Sequence, residues 1–568
     1  VGFTRAELES GRLLWLLTLT IRGQIFRFST EPVSVTNSDP KIGPVTYQYK
    51  SGLAFLEYEE AIGLFETEPS SREVSVEVLF GPGAADGWAL IADPEQDLGT
   101  GTGELSLLLE GGDFADRQIV VSGNLEQPTH GSRNEPVKFT LSESDWDDPA
   151  IFPPAEAVAK YGNWPTSIIS GNQIGIDDAI LDEPYPVVFG NPGAQPPPHW
   201  FGGGASNRMA STPGLLVKID QTDEDNLTND ATVLIAGHRI TGTDPTVNVW
   251  NADKFGWFSS VVDVDHTVDG SGREVATITW TPVGASTDPT KIETGTELWI
   301  AWTGAGGLAA EDGIRPMTSA AEIVEYLLDR SQLRIDTLRS RVVFDEVANY
   351  RLDFWVNEGR SPWEIIVEDI LPILPISAQV THEGLGFVYW NWAATSADAT
   401  HHFDMLREFG ERTSDVEISA TDDVYNVIRI DYCRTGPEGK FVRSLTYTHG
   451  STDTDTDTVH NPYCWASFTR YGNREGLTID APVVEQEGTA RAILDWKARY
   501  HTQTHRTVTY RFSQAAQVYQ VGQCVTITDD DIAWSSVVCL ITGVIRAPGV
   551  AEITFTTVSD WARTGLVT

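Results

Sequence analysis

Carboxylates are the commonest groups in this chain that could do chemistry: 81 Asp and Glu residues stand against 39 Lys and Arg. Hydrolysis of a glycosidic bond needs two carboxyl groups facing each other across a cleft. The best-spaced pair is Glu364 and Glu368, one helical turn apart in Ser361-Pro362-Trp363-Glu364-Ile365-Ile366-Val367-Glu368. Their shared face is polar and solvent-directed. Glu364 also stands three residues after Ser361, where a capping-box carboxylate reaches back to the helix start, so a structural role is expected. Metal chemistry fares worse. A metallopeptidase helix places two histidines four residues apart around a Glu. His382-Glu383 and His401-His402 lack that spacing, and the latter pair reads as loop or interface residues. The run Asp263-Val264-Asp265-His266-Thr267-Val268-Asp269-Gly270 has spaced carboxylates but no Glu at the twelfth position of a calcium loop; a hairpin tip is expected there. Gly99-Thr100-Gly101-Thr102-Gly103 is no phosphate loop, because Glu104 opens a strand where a Gly-Lys-Ser/Thr helix start is needed. No catalytic, cofactor or metal residue is therefore assigned.

Cysteine and aromatic residues leave two further readings. Cys433, Cys464, Cys524 and Cys539 are scattered without a CxxC pair, which points to buried free thiols, with a Cys524 to Cys539 bridge open only if their strands face each other. Eighteen Trp residues raise the question of sugar stacking. His199-Trp200-Phe201, in a loop between Pro196-Pro197-Pro198 and Gly202-Gly203-Gly204, is the candidate contact patch, for a glycan or for a protein partner.

The elements that would position these residues are clearest between Leu352 and Leu371. Leu352 to Val356 reads as a strand, Ser361 as a helix cap, Pro362 as the first helical residue and Glu364 as the capping-box partner. Trp363, Ile366, Val367, Ile370 and Leu371 then fall on one helical face until Pro372, and Pro375 opens an extended segment toward Gly384. The unit is strand, helix, strand, with the apolar face covering a sheet.

Composition sets the scale. At 568 residues, 41% hydrophobic and 21% charged, the chain exceeds one hydrophobic core and is expected to hold several domains. No apolar run reaches the roughly 18 residues of a membrane span, so a soluble or surface-assembled protein is expected. The run Leu13 to Ile21 lacks the basic start and cleavage region of a signal peptide and reads as a strand. A net charge of -42 argues against DNA binding. It suits either simple solubility or the wall of a conduit through which DNA slides without sticking.

Four regions follow from the changes in pattern: residues 1–150, a β-barrel or sandwich beginning with a hairpin turned at Arg22-Gly23; 151–312, a second β-rich region with a Pro/Gly-rich loop; 313–420, α+β; and 421–568, a helix at Ala490 to Tyr500 and a closing barrel from Thr507 to Thr557. In the third region Ser319 and Glu322 form a second capping-box pattern ahead of Ile323, Val324, Leu327 and Leu328. The fold class is multi-domain, mainly β with α+β insertions. Thr452 to Thr458, alternating Thr and Asp, is expected to be a loop.

Three places resemble the tail hub, or baseplate hub, proteins of tailed bacteriophages and related gene-transfer particles. They are the unit from Asp353 to Trp392, the proline-flanked Val187-Val188-Phe189-Gly190 element within Pro184 to Gly193, and the C-terminal pattern of helix, Thr507 to Phe512, Val521 to Thr528 and Ile541 to Val544. The resemblance implies a homotrimer whose tail-tube-like β-barrels form a ring of pseudo-sixfold symmetry around a DNA channel. It implies two such barrels per chain, in 1–150 and 421–568, although the long second region departs from the simplest hub pattern. The implied partners are further copies of this chain, a distal tail protein, the tail tube protein, a tape measure and tip or fibre proteins. DNA is expected to pass through without specific binding, no cofactor is expected, and the implied place is the virion tail tip after assembly in the host bacterial cytoplasm. A cell-wall hydrolase of a tail tip and a multi-domain glycan-binding protein are the alternatives.

Overall fold

The computed structural model describes residues 4–38, 43–56, 58–61, 73–80, 101–126, 128–130, 135–142, 150–160, 163–164, 167–169, 172–175, 180–193, 212–220, 231–242, 245–254, 256–258, 262–280, 296–302, 306–311, 313, 315–381, 383–434, 436, 439–453, 457–474 and 476–558. Strand dominates, and the sheets include a six-strand barrel and a half-barrel. The expected first hairpin forms: Leu13–Ile21 pairs with Gln24–Ser29 down to Ile21 opposite Gln24. Arg22 and Gly23 both have positive φ, 52° and 74°, the mirror-image turn whose twist matches the strands. The continuous apolar run of Leu13–Ile21 has a physical reason. Trp15, Leu17 and Leu19 pack into one core with Phe139 and Leu141, while Leu14 and Leu16 pack on the opposite face with Val35, Tyr49 and Leu108. The strand sits inside a ten-stranded sheet, between Gln24–Ser29 and Thr102–Leu109.

A nine-stranded sheet follows, running from Ser167–Ile169 to Gly256–Trp257. Its hairpin of Val262–Val268 and Glu274–Trp280 corrects the expectation for the acidic run. Asp263 to Val268 lie within the strand, and the tip begins only at Asp269. There the Asp269 carboxylate accepts from the backbone N–H of Ser271 and Arg273 and from the hydroxyls of Ser271 and Tyr185. Turn chemistry, with four donors on one carboxylate, accounts for this residue.

The next helices are Ala320–Leu328 and Thr337–Val347. Ile323, Val324, Leu327 and Leu328 are buried as the periodicity predicts, but the second capping box does not form. Ser319 Oγ donates to the Ala348 carbonyl (3.0 Å), and Glu322 pairs with Arg315, so both partners are engaged elsewhere. The largest core joins this region to a four-stranded sheet of Thr458–His460, Phe441–Thr448, Val427–Arg434 and Gly476–Ala481 and to the helix Glu487–His501. Ile366 and Ile370 share it with Ile428, Ile430, Ile493 and Leu494.

The C-terminal strands run in the order His402–Asp404, Cys524–Asp529, Trp534–Ala547, Val550–Thr557, Arg506–Ser513 and Glu411–Arg412, around a core holding Phe403, Tyr510, Phe512 and Phe555. Tyr58–Ala61, from the N-terminal part of the chain, adds to this sheet against Gly543 to Arg546. All four cysteines are buried and free. Cys524 stands opposite Leu540 and Cys539 opposite Val525, one residue out of step, so the open bridge is not made. No helix among the described residues is long and apolar enough to cross a membrane.

Candidate functional site

Ser361 closes the predicted capping box. Its Oγ accepts from Glu364 N–H (3.0 Å), and Ser361 N–H donates to Glu364 Oε2 (2.9 Å). Pro362 occupies the first turn, where its missing N–H costs nothing. Trp363, Ile366, Val367, Ile370 and Leu371 are all buried, as their spacing predicts. The helix is not regular, however. Only Pro362–Ile365 is α; Ile366–Ile370 widens to a π-helix and Leu371–Ile373 tightens to a 3-10 turn. Pro372 is the physical reason, because its ring would meet the Glu368 carbonyl of a regular helix and it has no N–H to offer there.

The two carboxylates singled out for chemistry both have structural partners. Glu364 is committed to the cap, and Glu368 accepts from Arg360 Nη2 (2.6 Å), whose Nη1 reaches Asp369 (2.8 Å). Arg360 also exchanges backbone hydrogen bonds with Phe152, tying the start of the second region to this unit. His402 opens the strand His402–Asp404 of the C-terminal sheet, and His401 directly precedes it, its carbonyl accepting from Thr526 N–H. His401 lies between Arg5, Glu408 and Tyr519, and His402 Nδ1 is 2.9 Å from Thr526 Oγ1. His401 thus joins the N-terminal helix Arg5–Ser10 to the barrel. The His199-Trp200-Phe201 patch, His382 and residues 454–456 lie outside the described residues. No cluster of three or more metal-ligating side chains occurs among the described residues.

Two segments far apart in sequence meet here. Val187–Phe189 pairs antiparallel with Phe354–Val356, and the rings of Phe189 and Phe354 stack at 4.9 Å. The chain then turns at Gly190, whose φ is +67° and where a Cβ would lie 2.2 Å from Asp353 Oδ1. Only glycine allows that approach. Asn191 N–H donates to Asp353 Oδ1 (2.8 Å), and Gly193 N–H donates to both Glu485 oxygens at 2.7 Å. Gln486 Nε2 reaches Asp353 Oδ2 (3.2 Å), while Asp353 N–H donates to the Val483 carbonyl (2.9 Å).

Asp353 and Glu485 are 3% and 2% exposed. Burial raises Asp353 above the ordinary carboxyl range, against the Asn191 N–H, Arg351 and Gln486, which favour its charge. Burial first and the charge of Asp353 second push Glu485 well up, against Gly193 N–H and Arg443. Cys433 donates its thiol to the Glu485 carbonyl (3.0 Å), and burial raises that thiol too. Two carboxyls with altered proton affinities are what general acid and base chemistry uses, but these two are buried and their hydrogen bonds run to other segments of the chain. Their geometry suits holding three chain segments together.

Sequence reasoning passed over Asp353, Glu485, Gly190 and Gly193 as a group. The available signals were a lone acid inside an apolar strand, another directly after Val483-Val484, and two glycines around Asn191-Pro192.

No protein family and no curated protein matches the sequence. Among solved structures the fold is similar to a tail protein from Neisseria meningitidis MC58, with 8% identity over 95% of this chain and 96% of that one, at a TM-score of 0.37. It is also similar to the prophage MuSo2 43 kDa tail protein from Shewanella oneidensis, with 9% identity, 96% and 98% coverage and a TM-score of 0.36. A chain of the virion of a native gene transfer agent particle gives 9% identity, 68% and 86% coverage and a TM-score of 0.36.

Proposed function

We propose that this chain is a structural protein of a phage-type tail, acting as a hub without catalytic turnover. In this reading it assembles as a homotrimer at the distal end of the tail and joins the tail tube and distal tail protein to the tip. A tape measure and tip or fibre proteins are its other neighbours, and DNA leaves through the central channel. The observation that carries the reading is the pairing of Val187–Phe189 with Phe354–Val356 directly ahead of the Ser361 capping box. Two of the three segments that resemble hub proteins are thus one physical unit. The -42 charge supports a passage that does not hold DNA, since a negative wall releases no counterions on contact.

Light scattering with negative-stain imaging tests this. A chain of 62.3 kDa gives about 187 kDa as a closed threefold ring. A ring with a central hole is expected; a stable monomer that also fails to join tail tubes overturns the proposal.

A glycan-binding role is the second reading, favoured by one surface. Trp465 is 48% exposed on the helix Pro462–Tyr471, its ring 6.3 Å from that of Phe468, which is itself stacked on His449 at 4.0 Å. The exposed Trp465 ring offers a flat face to sugar C–H groups. Binding on a soluble sugar array that Trp465→Ala removes supports it; an array without signal rejects it.

A further inference from the structure

The buried acids at the junction do something that ordinary ion pairs do not. Three segments converge on them: the turn Gly190 to Gly193, the strand entry Leu352-Asp353, and Val483 to Gln486 ahead of the helix Glu487–His501. Every polar contact described for the two carboxylates joins one segment to another. The turn contributes backbone N–H groups, which are always present and never titrate. The groups facing the pair are Arg351 on the strand side, Arg443 and Cys433 from the adjacent sheet, and the amide of Gln486.

We propose that Asp353 and Glu485 are an acid-tightened clamp: with a proton on the pair they hold the Gly190–Gly193 turn to the core, and loss of the last proton loosens it. With one proton, one carboxylate keeps its charge among the Asn191, Gly193 and Gln486 donors and the other is neutral. With none, the charge of Asp353 opposes that of Glu485 in a dry setting, where repulsion is strong. The sign follows from linkage. A carboxyl whose affinity for protons is raised in the folded state contributes stability that is complete below its unfolded value. That contribution is lost as pH rises through the folded value. Both acids are raised, so the junction tightens on acidification, whereas Glu408, held below its ordinary range, contributes in the opposite sense. The inference is independent of the tail reading, because it concerns one chain.

The test is hydrogen exchange on the full-length protein from pH 5 to pH 9, with rates corrected for intrinsic exchange, following peptides that contain Val187 to Gly193. Protection is expected to fall on the order of tenfold or more across that range, because each tenfold gain in proton affinity on closing favours the closed junction tenfold. Peptides from Leu13 to Ile21 are expected to stay level. Glu485→Gln keeps one acceptor for Gly193 N–H and removes the titration; with it the fall is expected to flatten, and Asp353→Asn is expected to do the same. Wild-type protection that is constant with pH, or a fall that persists unchanged in both variants, overturns the clamp. Should the variants not fold, the wild-type profile alone decides.

Discussion

Two charged sites tie distant parts of this chain together, and they do it in opposite ways. At the barrel, Arg5 reaches Glu408 through both of its terminal nitrogens (3.1 and 2.8 Å) and meets His401 and Tyr519 on the same side. Burial alone would raise Glu408, yet the hydrogen bonds of His401 and Arg5 outweigh it and hold the carboxyl low. At the Asp353–Glu485 junction no comparable charge pairing wins, and burial dominates. The difference teaches that the sign of a carboxylate's contribution depends on whether its hydrogen bonds and charged partners outweigh its burial. Arg5 and His401 keep Glu408 ionised; at the junction the N–H donors also favour the charge, but burial outweighs them.

The contrast can be broken most severely through the apolar face beside the junction. Ile370→Asp places an unpaired charge in the largest core, a change expected to cost more than about 4 kcal/mol and to abolish folding or assembly; soluble yield and circular dichroism read it. Next in size is Gly190→Ala, where positive φ and the contact with Asp353 act together. Roughly 2 to 4 kcal/mol is expected from denaturant unfolding. Gly111→Ala is the control, at φ +85° with nothing near the added Cβ, and is expected to cost about 1 to 2 kcal/mol. Ser361→Ala removes one side of the capping box for about 1 kcal/mol.

The pH comparison sharpens the contrast at smaller amplitude. Because Glu408 is lowered, its stabilisation is present above the ordinary carboxyl range and is lost as pH falls through its depressed value. The denaturant midpoint of Glu408→Gln should therefore lie below wild type at pH 7 and approach it near pH 3, while Glu485→Gln should differ most from wild type at high pH. Matching profiles for the two variants would remove the distinction. Smallest of all is Glu368→Gln, whose carboxylate is 65% exposed against Arg360 and is expected to change stability by less than about 1 kcal/mol.

What could be read in advance divides along the same line. The hairpin at Arg22-Gly23, the Ser361 cap and the buried face from Trp363 to Leu371 were all readable, because each depends on residues within a few positions of one another. The Ser319-Glu322 pattern had the same local form and failed, since Arg315 and the Ala348 carbonyl compete for its two ends. Glu364 and Glu368 were readable as structural for local reasons too. The junction was not: Asn191 and Asp353 are 162 positions apart, and Gly193 and Glu485 are 292 apart.

By itself the sequence determined the periods, caps and turns, because hydrogen bonds between residues three or four apart and the alternation of apolar side chains need no information from elsewhere. Only the tertiary structure decided which strands are buried on two faces, where the helix before Pro372 widens, and which acids lose their water. The physical reason is that burial and local dielectric belong to the packed chain. Asp353 and Glu485 acquire their raised proton affinity only when three distant segments close over them.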